Sequence, residues 1–161
     1  MLFVDHIAAG IVLPSLFESF QNTPAITVSV ISSALPDITA VSGLKGDIRY
    51  LSHRGPTHTL LFAPFLSIMP VVLVYLILGS QIKNTLIELY VLSLLSYVIH
   101  IAMDALTPFG TKVLYPLSTK KLSFDLFPTL EPVTDGISTI FIIFFLFQIT
   151  LCQKHRIFLI C

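Results

Sequence analysis

Between residues 59 and 82 the chain carries no formally charged side chain. A helix needs about 20 mostly apolar residues to cross the hydrocarbon core of a bilayer, and this stretch is long enough. Pro64 and Pro70 fall inside it and predict a kink, which a membrane helix tolerates. Residues 86–103 form a second such stretch, interrupted only by Glu88 near its start, and residues 136–153, rich in Phe and Ile, form a third. Two shorter apolar segments, 7–17 and 24–35, come first. They read either as short tilted spans or as a re-entrant helical hairpin turning at Gln21-Asn22-Thr23. The expected fold is therefore all-α: a polytopic membrane helical bundle with three clear spans plus two shorter N-terminal helical segments, forming one domain over residues 1–161.

Composition supports this frame. The chain is 55% hydrophobic and 11% charged, whereas a soluble domain carries roughly 25% charged residues. Nine basic and nine acidic side chains cancel, so the expected partner is the lipid bilayer and not nucleic acid. Cys152 and Cys161 have neither metal-type spacing nor a disulfide framework. The N-terminus, Met1 to Asp5, lacks the basic start of a signal peptide and is expected to remain in the mature protein.

The few polar residues cluster at the edges of the apolar stretches. If the face bearing His6 is followed along the chain, the two early segments return it there before Asp37, whether they cross or re-enter. The loop over residues 36–57, the His100–Asp104 end of the second long stretch and the loop over 107–131 all fall on that same face. Gln81 to Asn84 and Lys154-His155-Arg156 fall on the opposite one. The His6 face holds Lys45, Arg49, Arg54, Lys112, Lys120 and Lys121, against Lys83, Lys154 and Arg156 on the other. Basic residues near span ends favour the cytoplasm, so the expected location is the cell (inner) membrane with the His6 face cytoplasmic.

His6, Asp37, His53, His58, His100 and Asp104 thus share one face, and imidazole with carboxylate is a usual ligand set for zinc and related divalent ions. His100 and Asp104 are four apart, one turn apart on one helix face. The pair reads either as two ligands of one ion or as a hydrogen-bonded pair joining helices, and ionisable residues at membrane depth favour function. His53 and His58 bracket Arg54-Gly55-Pro56-Thr57, a loop made tight by Gly55 and Pro56. His58 has three readings: ligand, partner of a ligand, or a residue beside a helix cap at Thr57. Asp37 follows Leu35-Pro36 and could equally be a turn aspartate. Asp5 reads as a partner for His6 or as a cap, and Glu131 and Asp135 as a further carboxylate for the site or, more simply, as helix-start caps.

These stretches also carry a resemblance. His6-Ile-Ala-Ala-Gly10, Leu35-Pro36-Asp37, His53-Arg-Gly-Pro-Thr-His58, His100-Ile-Ala-Met-Asp104-Ala-Leu-Thr-Pro-Phe-Gly110 and Leu114-Tyr-Pro-Leu117 resemble the YdjM family of membrane-bound, metal-dependent hydrolases over most of residues 3–118. That family is distantly similar to zinc-dependent phospholipases C, helical enzymes that bind three zinc ions. Their order of an early His, an Asp, a His and then His-x-x-x-Asp is matched by His6, Asp37, His53, His100 and Asp104, which the resemblance implies as metal ligands. Their later pair of histidines and a glutamate has no match, since His155 is the only histidine after Asp104. One or two ions, zinc by preference, are expected instead of three.

The chemistry expected is hydrolysis. Asp37, His53, His100 and Asp104 would hold one ion, and His6 with a bridging Asp104 a second. His58 would orient water or shuttle a proton, and Arg54 and Lys112 would pair with a phosphate. Catalytic roles thus fall to His58 and Arg54, and a phosphoester or phospholipid head group at the interface is the expected substrate. Two rival readings are a transporter or metal-permeation protein and a non-catalytic membrane scaffold with a structural metal. Transporters usually show internal repeats and midplane sites, and neither is visible in this sequence.

Overall fold

The computed structural model describes residues 3–41, 56–127 and 132–158, with side chains for all of these except 38–41, 80 and 149–158. The architecture over them is five helices: α1 (Phe3–Ser15), α2 (Thr23–Val41), α3 (Ile68–Leu78), α4 (Leu86–Ala105) and α5 (Pro132–Phe158). An isolated bridge between Thr111 and Leu122 is the only β pairing among the described residues. α2 lies at the centre, packed on α1, α3 and α4, while α5 packs on α1.

α4 is the one described helix long and apolar enough to cross a membrane. Its 20 residues rise about 30 Å, the thickness of the hydrocarbon core. Thr85 and Glu88 start it with a reciprocal capping box: Glu88 Oε2 accepts from the Thr85 amide at 2.7 Å and Thr85 Oγ1 from the Glu88 amide at 3.2 Å. The one acid of this stretch is thus spent on the exposed first-turn N–H groups, where it also meets the positive end of the helix dipole.

Of the three spans expected, α4 is the one that the described residues show. Residues 59–82 do not form one helix. They follow a 3-10 turn (Pro56–His58), then give one helical turn (Ala63–Leu66), α3 and a second 3-10 turn (Gly79–Gln81). Pro64 and Pro70 both fall in the first turn of the piece that contains them. A proline costs little there because that N–H has no intrahelical partner; the break expected within this stretch falls at Ser67, just before the turn that holds Pro70. α5 runs for 27 residues, but its described apolar part ends at Gln148. The early segments are longer than expected: α2 passes through Pro36 and carries Asp37 inside the helix and not in a turn after it.

The interior mixes apolar clusters with buried hydroxyl groups, while the outside is apolar. Between α2 and α4, Ser29 Oγ meets Ser96 Oγ at 2.8 Å and Ser32 Oγ meets Ser93 Oγ at 2.7 Å. Ser93 Oγ also donates to the Ser67 carbonyl, and all these serines are buried. Small hydroxyl residues let helices approach closely and bond across the contact where no water competes. At Gly10 a Cβ would lie 2.9 Å from the Val30 Cα, so α1 rests directly on the α2 backbone. Outward-facing positions are large and apolar: Leu76 is 75% exposed, Ile87 75% and Ile140 70%. A surface of this kind belongs against hydrocarbon.

The two ends of the bundle are tied differently. At one end Asn22 Nδ2 donates to Asn84 Oδ1 (2.8 Å), Asn84 Nδ2 donates to the Ser19 carbonyl (2.9 Å), and Asn22 Oδ1 accepts from the Ala25 amide at the start of α2. The α1–α2 and α3–α4 turns are thereby fastened together. At the other end, residues 107–127 fold over the C-terminus of α4. Phe124 N–H donates to the Ala105 carbonyl and Leu126 N–H to the Leu106 carbonyl, both at 2.9 Å, so carbonyls with no helical partner are satisfied.

Candidate metal centre

Two helical i, i+4 pairs face each other at this second end: Ser33 and Asp37 on α2, His100 and Asp104 on α4. Between them the Pro56–His58 turn brings His58, and the first turns of α1 bring His6. His6, His58, His100 and Asp104 are buried. Asp37 has a quarter of its side chain exposed and is the open edge of the cluster.

The separations are short and even. His58 Nε2 lies 3.3 Å from His100 Nε2, 3.4 Å from Asp37 Oδ1 and 3.3 Å from Asp104 Oδ2. His100 Nε2 lies 3.7 Å from Asp37 Oδ1 and 3.8 Å from Asp104 Oδ2. The four ligand atoms all lie within 4.8 Å of one another. Four donors bonded to zinc at about 2.0–2.1 Å sit roughly 3.3 Å apart at the corners of a tetrahedron; the three separations from His58 Nε2 match this, those from His100 Nε2 to the carboxylates are about half an ångström longer, and the set would draw in around an ion.

The hydrogen bonds behind the imidazoles fix which nitrogen faces inward. His100 Nδ1 is 2.6 Å from the Ser33 carbonyl. A carbonyl only accepts, so Nδ1 carries the proton and Nε2 presents its lone pair to the cluster. Thr57 Oγ1 donates to the Pro36 carbonyl and lies 3.2 Å from His58 Nδ1. Its proton is committed to Pro36, so it accepts from His58 Nδ1–H, and His58 Nε2 also points inward. Partners of this kind orient metal-binding imidazoles and raise their basicity. The donor set, its spacing and its tautomers therefore fit a divalent ion. Burial works against a charge on His58, but its bonds to Asp104 and Asp37 more than offset this and hold its pKa above the ordinary imidazole value.

His6 stands beside this group. Its ring stacks on His100 with centroids 3.9 Å apart, and its Nε2 is 3.5 Å from Asp104 Oδ1, the oxygen turned away from His58. Asp104 thus contacts His6 through one oxygen and the other two imidazoles through the other. Asp5, which could have served His6, accepts from Ser138 Oγ at 2.7 Å and joins α1 to α5. His53 and Arg54 lie outside the described residues. His58, expected to act on water or protons, has its Nε2 among the ligand atoms themselves. Ser33 and Thr57 were not singled out in the sequence as partners of the imidazoles. The available signals were that Ser33 is one turn before Asp37 and that Thr57 adjoins His58.

A lipid-facing helical bundle that gathers buried imidazoles and carboxylates at one end defines a class: membrane proteins with a metal-type polar centre. The chain belongs to the YdjM inner membrane protein family, which it matches over residues 1–160, beyond the 3–118 stretch that carried the resemblance. It is also similar to an uncharacterised protein, YfhP, of Bacillus subtilis (strain 168), at 29% identity over 136 residues, 79% of this chain and 41% of that protein. The chain spans about two fifths of that relative's length. No solved structure matches it.

Proposed function

We propose that this protein is a membrane-bound, metal-dependent hydrolase in which Asp37, His58, His100 and Asp104 hold a divalent ion, zinc by preference, and that it cleaves a phosphoester or lipid head group at the membrane interface. The observation that carries this reading is the set of inward-facing Nε2 and carboxylate oxygen atoms, all within 4.8 Å of one another. When bound, such an ion supplies a Lewis acid that polarises a phosphoryl or acyl oxygen and lowers the pKa of water toward neutrality. Ser33 and Thr57 hold the two imidazoles in the required tautomer. Asp37 marks the side from which a substrate would enter, because it alone of the four is partly exposed. His6 steadies Asp104 through Oδ1, or shares it with a second ion. Arg54 and Lys112 are proposed to meet the substrate's phosphate. The charge bias favours a cytoplasmic position for this end.

The test is elemental analysis of the detergent-purified protein together with hydrolysis of a phosphodiester and of phospholipid vesicles, before and after chelation. About one ion per chain, with turnover lost on chelation and restored by zinc, supports the reading. Protein that neither contains nor takes up a divalent ion would overturn it. Orientation is read separately, from cysteines placed at Ser118 and Gln81. An impermeant thiol reagent applied to intact cells should label the second and spare the first, and the reverse pattern would place the site outside.

A further inference from the structure

The segment over residues 107–127 is poorly suited to water. Leu117 is 81% exposed, Leu126 65%, Phe109 60%, and Leu114 and Phe124 56% each. Exposed single apolar side chains are ordinary, but five in so short a loop are not. The segment is nevertheless well ordered by its own bonds. Thr111 and Leu122 exchange backbone hydrogen bonds at 2.9 and 2.8 Å, Leu60 N–H donates to the Val113 carbonyl at 3.0 Å, and Ser123 Oγ donates to the Thr107 carbonyl at 2.8 Å. A fixed backbone holds these side chains outward and keeps them from collapsing onto the bundle.

Position and charge say what should cover them. The segment starts where α4, the membrane-length helix, ends, so it begins at the level of the bilayer surface. It carries Lys112, Lys120 and Lys121 against one acid, Asp125. Apolar side chains interleaved with lysines are the pattern of elements that lie in the head-group layer, with hydrocarbon taking the first and lipid phosphates the second.

We propose that residues 107–127 form an interfacial element that lies flat in the membrane surface and docks on anionic phospholipid head groups of the leaflet at the His/Asp end. Leu114 and Leu117 dip into the acyl boundary, and Lys120 and Lys121 pair with phosphates. The proposal rests on the segment's own exposure and charge and does not require that the centre bind metal or turn over.

The chain contains no tryptophan, so a single introduced one reports its own surroundings. Leu117→Trp and, separately, Leu114→Trp would be placed in the full chain, reconstituted in nanodiscs of phosphatidylcholine with and without phosphatidylglycerol. The expected result is blue-shifted emission, mostly lost when the lipids are brominated high on the acyl chain and insensitive to aqueous iodide. Phosphatidylglycerol should strengthen the bromolipid quenching, and adding Lys120→Gln and Lys121→Gln should remove that strengthening. Red-shifted emission quenched by iodide at both positions would put the segment in water and overturn the proposal. Emission shielded from both quenchers would mean that protein covers the segment, a second copy of the chain included, and would overturn it equally. Bromolipid quenching that ignores phosphatidylglycerol would overturn the anionic head-group part.

Discussion

The α2–α4 pair buries polar side chains in two places, and the two differ in how the groups are satisfied. In the middle of the pair, Ser29 meets Ser96 and Ser32 meets Ser93, with onward bonds to the carbonyls of Val28, Leu92 and Ser67. Each hydroxyl has one proton: within each pair one serine donates to the other, which passes its own proton on to a backbone carbonyl, so every donor is satisfied inside the protein and the network closes on itself. One or two turns further on, the same helices bring together His100, Asp104 and Asp37, joined by His58. There the outer nitrogens of both imidazoles are bonded to the protein, while the inner nitrogens face each other and two carboxylates at 3.3–3.8 Å. Closed polar networks hold helices together. A group of acceptors aimed at one point is satisfied by a cation, whether a proton or a metal ion.

Asp104→Asn breaks the comparison most severely. The amide loses the charge that both His58 and the proposed ion depend on, while the side chain keeps its size. We expect metal binding to fall by about 100-fold or more and hydrolysis to vanish, with elemental analysis and turnover as the measurements. A variant that keeps its metal would show that Asp104 serves packing alone.

Thr57→Val asks whether the outer bonds matter. The isosteric change removes the acceptor for His58 Nδ1–H and the donor to the Pro36 carbonyl. Metal affinity should fall by about 10–100-fold, the usual cost of removing a partner behind a ligand, and Thr57→Ser should recover most of it. Equal affinity in all three proteins would mean that His58 is oriented by something else.

The response to pH sharpens the same point. His58 has a raised pKa because Asp104 and Asp37 accept from its Nε2 side, against the effect of burial. Below that pKa a proton occupies the inner nitrogen; above it the lone pair is free. Metal affinity should therefore rise with pH, by up to about tenfold per unit if one proton is displaced, and level off above the raised pKa, on the alkaline side of about 6.5. Titration calorimetry in buffers of different ionisation enthalpy would count the proton. Affinity that does not change over this range would rule out His58 as a donor.

Much of this was legible in the sequence. The all-helical character followed from the apolar stretches, and the nearness of His100 to Asp104 from their spacing of one turn. Counting chain reversals placed six residues on one face; His6, Asp37, His58, His100 and Asp104 do meet there, and His53 lies outside the described residues. The helix breaks were less legible. Pro64 and Pro70 predicted a kink but not its place, which falls at Ser67, and the sequence did not show that the apolar helix would stop at Leu78. Pro36 misled in the opposite direction: it looked like an end, but the helix runs through it, with its carbonyl accepting from Thr57 Oγ1 across the site. That bond joins residues far apart in the chain, as does the one between His100 Nδ1 and the Ser33 carbonyl. Backbone acceptors leave no mark in a sequence, so the devices that orient the imidazoles became visible only in three dimensions.

The smallest expected effect comes from the closed network. Ser32→Ala leaves Ser93 Oγ with its bond to the Ser67 carbonyl, so no buried donor is stranded. The loss is one bond, since the single Ser32 proton goes either to Ser93 Oγ or back to the Val28 carbonyl, and membrane interhelical bonds average about 0.6 kcal/mol. Stability should fall by about 0.5–1.5 kcal/mol, read from unfolding in mixed detergent, and metal affinity should not change, because Ser32 touches none of the four donors. Ser93→Ala should cost more, since it removes bonds to both Ser32 and Ser67. If Ser32→Ala instead weakened metal binding as Thr57→Val is expected to, the two polar regions would be one coupled unit, and the division between closed network and open centre would fail.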